Sequence, residues 1–116
     1  MKYNLDMKLP NAEQAFVDIE KLRDYCLSEA HPRGKHKARV FLTALGLNAE
    51  DANELRDILL KSVQSENALS GEQDEYGQRF SVDVLIKRHG KEAVVRSAWI
   101  IRRGESMPRL TSCYVG

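Results

Sequence analysis

The sequence contains no feature that would direct the chain into a membrane or out of the cell. No apolar run approaches the roughly 20 residues that a membrane-spanning helix needs. Residues 1–6 (MKYNLD) include no apolar core of the kind that a secretory signal peptide carries. We therefore expect a cytoplasmic protein without a membrane partner. Met7 is a candidate second start site, which would make residues 1–6 dispensable.

Cysteine is scarce, and its spacing argues against both a disulfide scaffold and a tetrahedral zinc site. The chain has two cysteines, Cys26 and Cys113, and they form no C-x-x-C motif. We expect two free, buried thiols in a reducing compartment.

Familiar cofactor and metal motifs are also missing. The chain has no Walker-type phosphate loop, no G-x-G-x-x-G turn and no H-E-x-x-H helix. Its acidic residues do not form the paired pattern of a two-metal nuclease. They concentrate in residues 48–75, where a solvated surface explains them. The sequence therefore predicts no cofactor and no metal site.

The net charge is close to zero, but the charges are segregated along the chain. Eighteen basic residues oppose 17 acidic ones, and the resulting +1 excludes a uniformly basic nucleic-acid coat. Residues 31–47 carry four basic side chains and no acidic ones. Residues 48–75 carry two basic and eight acidic side chains, and residues 76–116 carry eight basic and three acidic ones. If folding joined the two basic blocks, they would form a positive cleft suited to phosphates. The alternative is that both blocks are solvated faces without a partner.

The first half of the chain has the periodicity of helices. At 116 residues, 42% of them hydrophobic, the chain is sized for a single domain, 1–116. Apolar residues recur at helical spacing in 18–30 and 35–45. A third helix is expected from a cap at Asn48 to about residue 64. The expected division is an irregular segment 1–17, a helical part 18–64 and a sheet 68–116.

The second half of the chain changes to the two-residue period of strands. Residues 68–74 are a weak strand candidate, and residues 80–86 alternate apolar with polar. Residues 94–101 are apolar on both faces, which is typical of a central strand. The last strand is expected at 110–115. Three helices followed by a three- to four-stranded antiparallel meander is an α+β fold.

One candidate functional residue is a histidine at a helix break. His31 precedes Pro32 and Gly34, and a basic helix start follows it. Basic groups oppose the dipole at a helix N-terminus, and a sequence tolerates that cost more readily when an anion binds there. Histidine side chains commonly serve as general acids or bases near neutral pH, which makes His31 a candidate for either role. The alternative is that His31 has only a structural role, as a capping or core histidine.

Further candidates lie in the last two strands. Arg96 interrupts an apolar strand, so it needs a phosphate or a carboxylate such as Asp83 as its partner. Strand alternation predicts that Ser112 shares a face with Tyr114, while Thr111 shares the opposite face with Cys113.

Four ordered blocks of the sequence resemble a bacterial domain family of uncharacterised function. Within residues 31–46, HPRGKHKARVF and ALG are similar to the family's HPxGxxKAxxF and ALG. Residues 76–83 (YGQRFSVD), 95–101 (VRSAWII) and 108–114 (PRLTSCY) are similar to its YGxxYxVD, VRTxWIV and PRLVTAYP. The resemblance covers nearly the whole chain from Lys8 onward. The family occurs as small stand-alone proteins and as the C-terminal tip of polymorphic, contact-dependent toxins.

The resemblance implies an activity as well as a fold. The family's plan looks like the barnase–EndoU–colicin–RelE group of metal-independent RNases. Such an enzyme would cleave RNA by attack of the 2′-hydroxyl on its own phosphate, with His31 as general base or acid, and with Lys37 and Arg96 stabilising the charge on the phosphate. The expected catalytic residues are His31, Lys37, Arg96, Ser112 and Tyr114, and the expected substrate-binding residues are Arg33, Lys35, His36, Thr111 and Trp99.

The resemblance also implies binding partners, and two other hypotheses about function stay open. The implied partners are RNA, with tRNA as one candidate, and a cognate antitoxin or immunity protein; the oligomeric state stays open. We expect His31, Lys37, Arg96 and Tyr114 to converge on one concave surface. A second hypothesis is a non-catalytic RNA- or protein-binding module on the same scaffold. A third is an unrelated small-molecule enzyme, which no glycine loop or cofactor motif supports.

Overall fold

The computed structural model describes residues 7–116 and confirms the expected α+β plan. Residues 1–6, with the expectation about a second start site, lie outside the described part. No helix within residues 7–116 is long and apolar enough to cross a membrane. The helices are α1 (Ile19–Lys21), which continues as a π-helical turn (Leu22–Cys26), α2 (Lys35–Leu45) and α3 (Ala52–Ser62), with 3-10 turns at Ala12–Gln14 and Ala49–Asp51. The strands are β1 (Ala68–Asp74), β2 (Gly77–Arg88), β3 (Lys91–Arg102) and β4 (Pro108–Val115).

The four strands form an antiparallel meander in the order β1-β2-β3-β4. The register pairs Val82 with Ser97 and Val84 with Val95. These side chains are buried in one core with residues of α2 and α3, so the helices cover this face of the sheet. Asp83 alternates with its buried neighbours and therefore lies on the opposite face. We call that opposite face the outer face.

The first helix ends earlier than its periodicity predicts. The pattern predicts helix over 18–30, whereas the helical structure stops at Cys26. The Leu27 N–H donates to the carbonyl of Leu22 at 2.9 Å, which widens the turn to the π geometry. This lets the consecutive residues Cys26 and Leu27 both reach the core. Burial of these neighbours, which sequence periodicity does not register, ends the regular helix.

Trp99 is a core residue, so the expectation that it binds substrate is corrected. The indole is 1% exposed. Its Nε1 donates to Ser97 Oγ at 2.9 Å, and that hydroxyl donates to the Val82 carbonyl at 2.8 Å. Because β3 is apolar on both faces, its sequence does not show which face points to the core. Pairing with the buried Phe80 on β2 places Trp99 on the inner face.

A β-bulge in the last strand changes the facing predicted for Thr111. Leu110 pairs with Trp99 and Ser112 with Ala98, so Thr111 is the extra residue between them. Its Oγ1 donates to the Ala98 carbonyl at 3.1 Å. Thr111 therefore lines the same surface cavity as Ser112 rather than sharing the buried face of Cys113.

One arginine at the end of β2 joins the sheet to both long helices. Arg88 Nη1 donates to the carbonyls of Leu45 at 3.0 Å and Gly46 at 2.9 Å, where α2 ends. Its Nε and Nη2 donate to the Glu54 carboxylate at 2.7 and 3.0 Å, and Asp51 lies 3.4 Å from Nη2. The Arg88 side chain is only 9% exposed. These contacts satisfy carbonyls that a helix C-terminus leaves unpaired.

Replacing Arg88 should therefore destabilise the fold strongly. Arg88→Ala leaves two helix-end carbonyls and a carboxylate without their donor, so we expect the free energy of unfolding to fall by about 2–4 kcal/mol. Arg56→Ala is the matched control, because its ion pair with Asp57 is exposed and 3.4 Å long. The control should change stability by less than about 0.5 kcal/mol. Urea denaturation of both variants measures the difference, and equal losses would contradict this role for Arg88.

Candidate functional site

Three polar side chains form a row across the outer face of the sheet. Asp83, Arg96 and Tyr114 occupy matched positions on β2, β3 and β4. Arg96 Nε donates to Asp83 Oδ1 at 2.8 Å and Nη2 donates to Oδ2 at 3.0 Å. The structure therefore contains the carboxylate partner that the sequence left as one alternative for Arg96.

Helix α2 places a second cation at the end of this row. The Lys37 ammonium lies 5.0 Å from the centre of the Tyr114 ring, a cation–π distance. None of the ion pairs among residues 7–116 involves Lys37. Tyr114 therefore lies between a free cation and a paired one. We call Lys37, Arg96 and Tyr114 the cationic cluster.

Arg96 and Asp83 stabilise each other's charged forms, and both side chains stay accessible to solvent. The hydrogen bonds to Asp83 raise the pKa of Arg96, and the phenol of Tyr114 adds to this effect. The hydrogen bond from Arg96 lowers the pKa of Asp83 in turn. Both side chains are nearly half exposed, at 43% and 46%, and ion pairs that exposed contribute at most about 1 kcal/mol. A phosphate can therefore compete with Asp83 for the guanidinium.

The His31 side chain caps the turn that leads into helix α2. Its Nδ1 accepts hydrogen bonds from the N–H groups of Arg33 at 3.0 Å and Gly34 at 3.1 Å. Both bonds need an unprotonated Nδ1, so the neutral ring carries its proton on Nε2. The ring packs edge-on against Tyr25, with centroids 4.6 Å apart at 81°. The structure thus supports the capping alternative, and no hydrogen bond or ion pair among residues 7–116 links His31 to Lys37.

The two hydroxyls of β4 line an acidic cavity. The cavity measures about 510 Å³ and lies beside Tyr25. Ser112 Oγ is buried and has no hydrogen-bond partner among the described residues. The charged side chains of the wall are Asp18, Glu20, Asp24 and Lys21. Asp24 is paired with Arg23 at 2.9 Å, so Asp18, Glu20 and Lys21 leave the wall with a small excess of negative charge, which disfavours a phosphate beside Ser112 and Thr111.

The two basic blocks of the sequence are adjacent in the fold. Helix α2, which carries the first block, packs against β3 and β4 of the second. Arg33, Lys35 and His36 are exposed around the start of α2, and the first turn of that helix contains no acidic residue. The expected substrate-binding residues of this segment are therefore open to solvent on the side of the sheet where β4 is the edge strand.

Tyr25 is a residue of this region that the sequence analysis does not single out. It contacts His31 and lines the acidic cavity. Its position beside Ser112 depends on the early end of the first helix, for which the sequence holds no local signal. Among residues 7–116, no three His, Cys, Asp or Glu side chains are grouped as metal ligands would be.

Comparison with known proteins finds one family and one fold relative. The model of a family described as "Domain of unknown function (DUF6883)" matches residues 8–116. No curated protein matches the sequence. A chain of the solved "Contact-dependent growth inhibition toxin - immunity protein complex from Klebsiella pneumoniae 342" is similar at a TM-score of 0.66 and 14% identity, over 86% of this chain and 98% of that chain. At that identity the similarity shows the fold alone.

The capping contacts make His31 a residue of measurable structural value. His31→Ala removes the acceptor for the N–H groups of Arg33 and Gly34 in the turn before α2, so we expect the free energy of unfolding to fall by about 1 kcal/mol. His31→Asn restores a capping oxygen and should recover part of the loss. His36→Ala is the control, because His36 is exposed. Thermal and urea unfolding measure the series, and a His31→Ala protein as stable as the control would show that the cap contributes nothing.

Proposed function

We propose that this chain, which belongs to the DUF6883 family of unknown function, is a metal-independent endoribonuclease of toxin type. The observation that carries the proposal is the cationic cluster, in which Lys37 and Arg96 flank the Tyr114 ring on an accessible surface. The fold shared with a chain of a toxin–immunity complex supports the toxin assignment. It is also consistent with a cognate immunity protein as a partner.

The cluster suits the charge changes of RNA transesterification. The 2′-oxygen attacks the phosphorus, the bond from phosphorus to the 5′-oxygen breaks, and a 2′,3′-cyclic phosphate remains. Negative charge builds on the non-bridging oxygens as the phosphorus becomes five-coordinate. Lys37 and Arg96 would stabilise that charge, and a single contact of this kind is typically worth about 10²–10³-fold in rate. The Tyr114 hydroxyl would hydrogen-bond the phosphate or position the leaving oxygen.

His31 is proposed as the proton-transfer group, and this role requires its capping bonds to open. The 2′-hydroxyl must lose a proton and the 5′-oxygen must gain one. A neutral His31 with its proton on Nε2 can only donate from that nitrogen, because Nδ1 is engaged. Turning the ring out of the cap would free it for proton transfer. It would also free the N–H groups of Arg33 and Gly34 to hydrogen-bond an anion at the helix N-terminus.

Two parts of the proposed substrate would contact two different surfaces, the cationic cluster and the acidic cavity. The phosphodiester would lie over the cationic cluster, and the adjacent base would enter the cavity beside Tyr25. Carboxylates such as Glu20 accept hydrogen bonds from the amino groups of bases, and an aromatic ring offers a stacking surface. Ser112 and Thr111 would then contact the nucleoside rather than the phosphate.

A second function, RNA binding without cleavage, is favoured by one specific observation. In the structure His31 is committed to the helix cap and Arg96 to Asp83. A binding module would use Lys37 and the exposed basic start of α2 and would need no proton-transfer group. Cleavage assays in EDTA separate the two functions.

Cleavage should depend on the cationic cluster. Lys37→Ala and Tyr114→Phe should each reduce cleavage of total tRNA in EDTA, with Lys37→Ala falling about 10²–10³-fold. His31→Ala should fall about 10²–10⁴-fold if the ring transfers protons. Lys61→Ala is the matched control, since Lys61 is an exposed lysine on α3. Gel analysis with detection of the 2′,3′-cyclic end measures the result.

Two outcomes of that assay would contradict the catalytic proposal. A folded His31→Ala protein that cleaves as fast as wild type removes His31 from the mechanism. A wild type that binds RNA but never cleaves it favours the binding module.

The Arg96→Ala variant needs Asp83→Asn as a control for loss of the ion pair. Arg96→Ala leaves the Asp83 carboxylate unpaired, whereas Asp83→Asn only frees the guanidinium. Asp83→Asn should keep its activity.

RNA binding should be steeply salt-dependent in either function. Each phosphate contact contributes about −0.7 to the slope of log affinity against log salt for single strands. Lys37→Ala should therefore make the slope shallower by about 0.7, while Lys61→Ala leaves it unchanged. Fluorescence anisotropy with a labelled single-stranded RNA at several salt concentrations measures both slopes. A Lys37→Ala slope identical to that of wild type would exclude Lys37 from the interface.

A further inference from the structure

We propose that this chain forms a dimer through the outer face of its sheet, with a second copy of the chain as the partner. The contact surface lies at the end of the hairpin that β2 and β3 form. It consists of three cross-strand pairs, which we call the hairpin patch: Asp83 with Arg96, Leu85 with Val94, and Lys87 with Glu92. The proposal concerns self-association and does not depend on RNA cleavage.

The centre of the hairpin patch is apolar and exposed. Leu85 and Val94 lie directly opposite each other on β2 and β3, and they are 54% and 42% exposed. Their neighbours Val84 and Val95 are buried in the core, so both exposed side chains lie on the outer face. Two adjoining aliphatic side chains offer apolar area that a partner would remove from water.

The hairpin patch is open to approach from both edges of the sheet. Strand β1 pairs with β2 only as far as Val82, so among residues 7–116 no strand lies beside Leu85 on that side. On the other side the residue next to Val94 is Gly116, which has no side chain and donates its N–H to the Val94 carbonyl at 2.9 Å. The surface of another protein can therefore reach the apolar centre.

The charges around this centre are arranged on diagonals. Asp83 and Arg96 lie on one side of the apolar pair, and Lys87 and Glu92 lie on the other. The acidic residue is on β2 in the first pair and on β3 in the second. Each strand of the hairpin patch therefore carries one acidic and one basic residue, in opposite order along the sheet.

This arrangement is complementary to a second copy of itself. Two sheets stacked face to face keep their strand directions within about 30° of each other, so the two-fold axis of a dimer runs either along the strands or across them. With the axis along the strands, Lys87 meets the partner's Glu92 and Asp83 meets the partner's Arg96. With the axis across the strands, Lys87 meets the partner's Asp83 and Glu92 meets the partner's Arg96. Opposite charges meet in both orientations, and each contact occurs twice by symmetry.

The composition of the hairpin patch favours a protein over RNA as its occupant. Its two carboxylates balance its two cations, so a phosphate backbone gains no net attraction there. An apolar centre bordered by balanced charges is the composition of a protein interface. Arg96 belongs to both the hairpin patch and the cationic cluster, so a second copy on the patch would cover part of that cluster.

The dimensions of the hairpin patch predict a weak dimer. Two residues advance an antiparallel strand by about 6.8 Å, so three cross-strand pairs extend over about 14 Å. A contact of that size lies at the low end of specific interfaces. We therefore expect an equilibrium between monomer and dimer that depends on protein concentration.

The test is sedimentation velocity of the full chain at concentrations up to about 1 mM, where a dissociation constant in the millimolar range is still detectable. We expect the mass to rise from that of one chain toward twice that value. Leu85→Lys should abolish the rise, because it brings a charge into the apolar centre from both copies. Leu69→Lys is the matched control, since Leu69 is a leucine on β1 that is 65% exposed and lies outside the hairpin patch.

Charge reversal tests the complementarity itself. Lys87→Glu should raise the dissociation constant about tenfold or more, because it places two acidic side chains together in either orientation. Adding Glu92→Lys to that variant restores opposite charges when the axis runs along the strands. When the axis runs across the strands, the added change weakens the dimer further. The double variant therefore identifies the orientation.

Two results would overturn the proposal. The first is a wild type that stays monomeric up to about 1 mM, which would leave the hairpin patch to a different protein. The second is a dimer that both Leu85→Lys and Val94→Lys leave intact, which would place the interface elsewhere. Circular dichroism checks the fold of each variant. No step of the experiment uses RNA, so its failure is distinct from a failure of the proposed nuclease activity.

Discussion

The side chain of Arg88 is the contact on which the arrangement of the two layers depends. It reaches from the end of β2 to the last carbonyls of α2 and to a carboxylate in the first turn of α3. Helix α2 is thereby held at its C-terminus by Arg88, and His31 holds its N-terminus. Because both ends are held by hydrogen bonds, the side of α2 that carries Lys37 is fixed next to β4. Lys37 thus lies over the Tyr114 ring on a helix whose far end is bound by Arg88.

The charge of the outer face depends on the strand register and on a lysine that no carboxylate of residues 7–116 neutralises. Antiparallel pairing aligns Asp83, Arg96 and Tyr114, and the carboxylate neutralises the guanidinium. Lys37 then supplies positive charge that no ion pair of the described residues removes. The nearby cavity is acidic instead. Within residues 7–116 the surface therefore combines an end with unpaired positive charge and an end where carboxylates outnumber ammonium groups.

A chain of hydrogen bonds holds Trp99 in the interior beneath this surface. The bonds run from the Trp99 indole through Ser97 to the Val82 carbonyl and are satisfied within the sheet. Cys26 and Cys113 are free thiols buried in the same core.

Local patterns in the sequence determined the plan of this protein. The two-residue alternation in 80–86 depends only on neighbouring residues, and so does the cap at Asn48. Both occur in the structure. Of the candidate residues, Arg96 is singled out by its apolar neighbours, whereas Lys37 and Tyr114 enter as catalytic candidates through the resemblance to a family.

Tertiary structure decided the features that depend on residues far apart in the chain. Pairing with Phe80 turned Trp99 inward, and the bulge moved Thr111 to the cavity. The turn before α2 engages His31 as a hydrogen-bond acceptor, and the packing of both long helices on the sheet gives Arg88 its contacts. A side chain's partners across a sheet or between layers are set by the register and by how well two surfaces fit. No local periodicity records either, because both are properties of segments that meet only after folding.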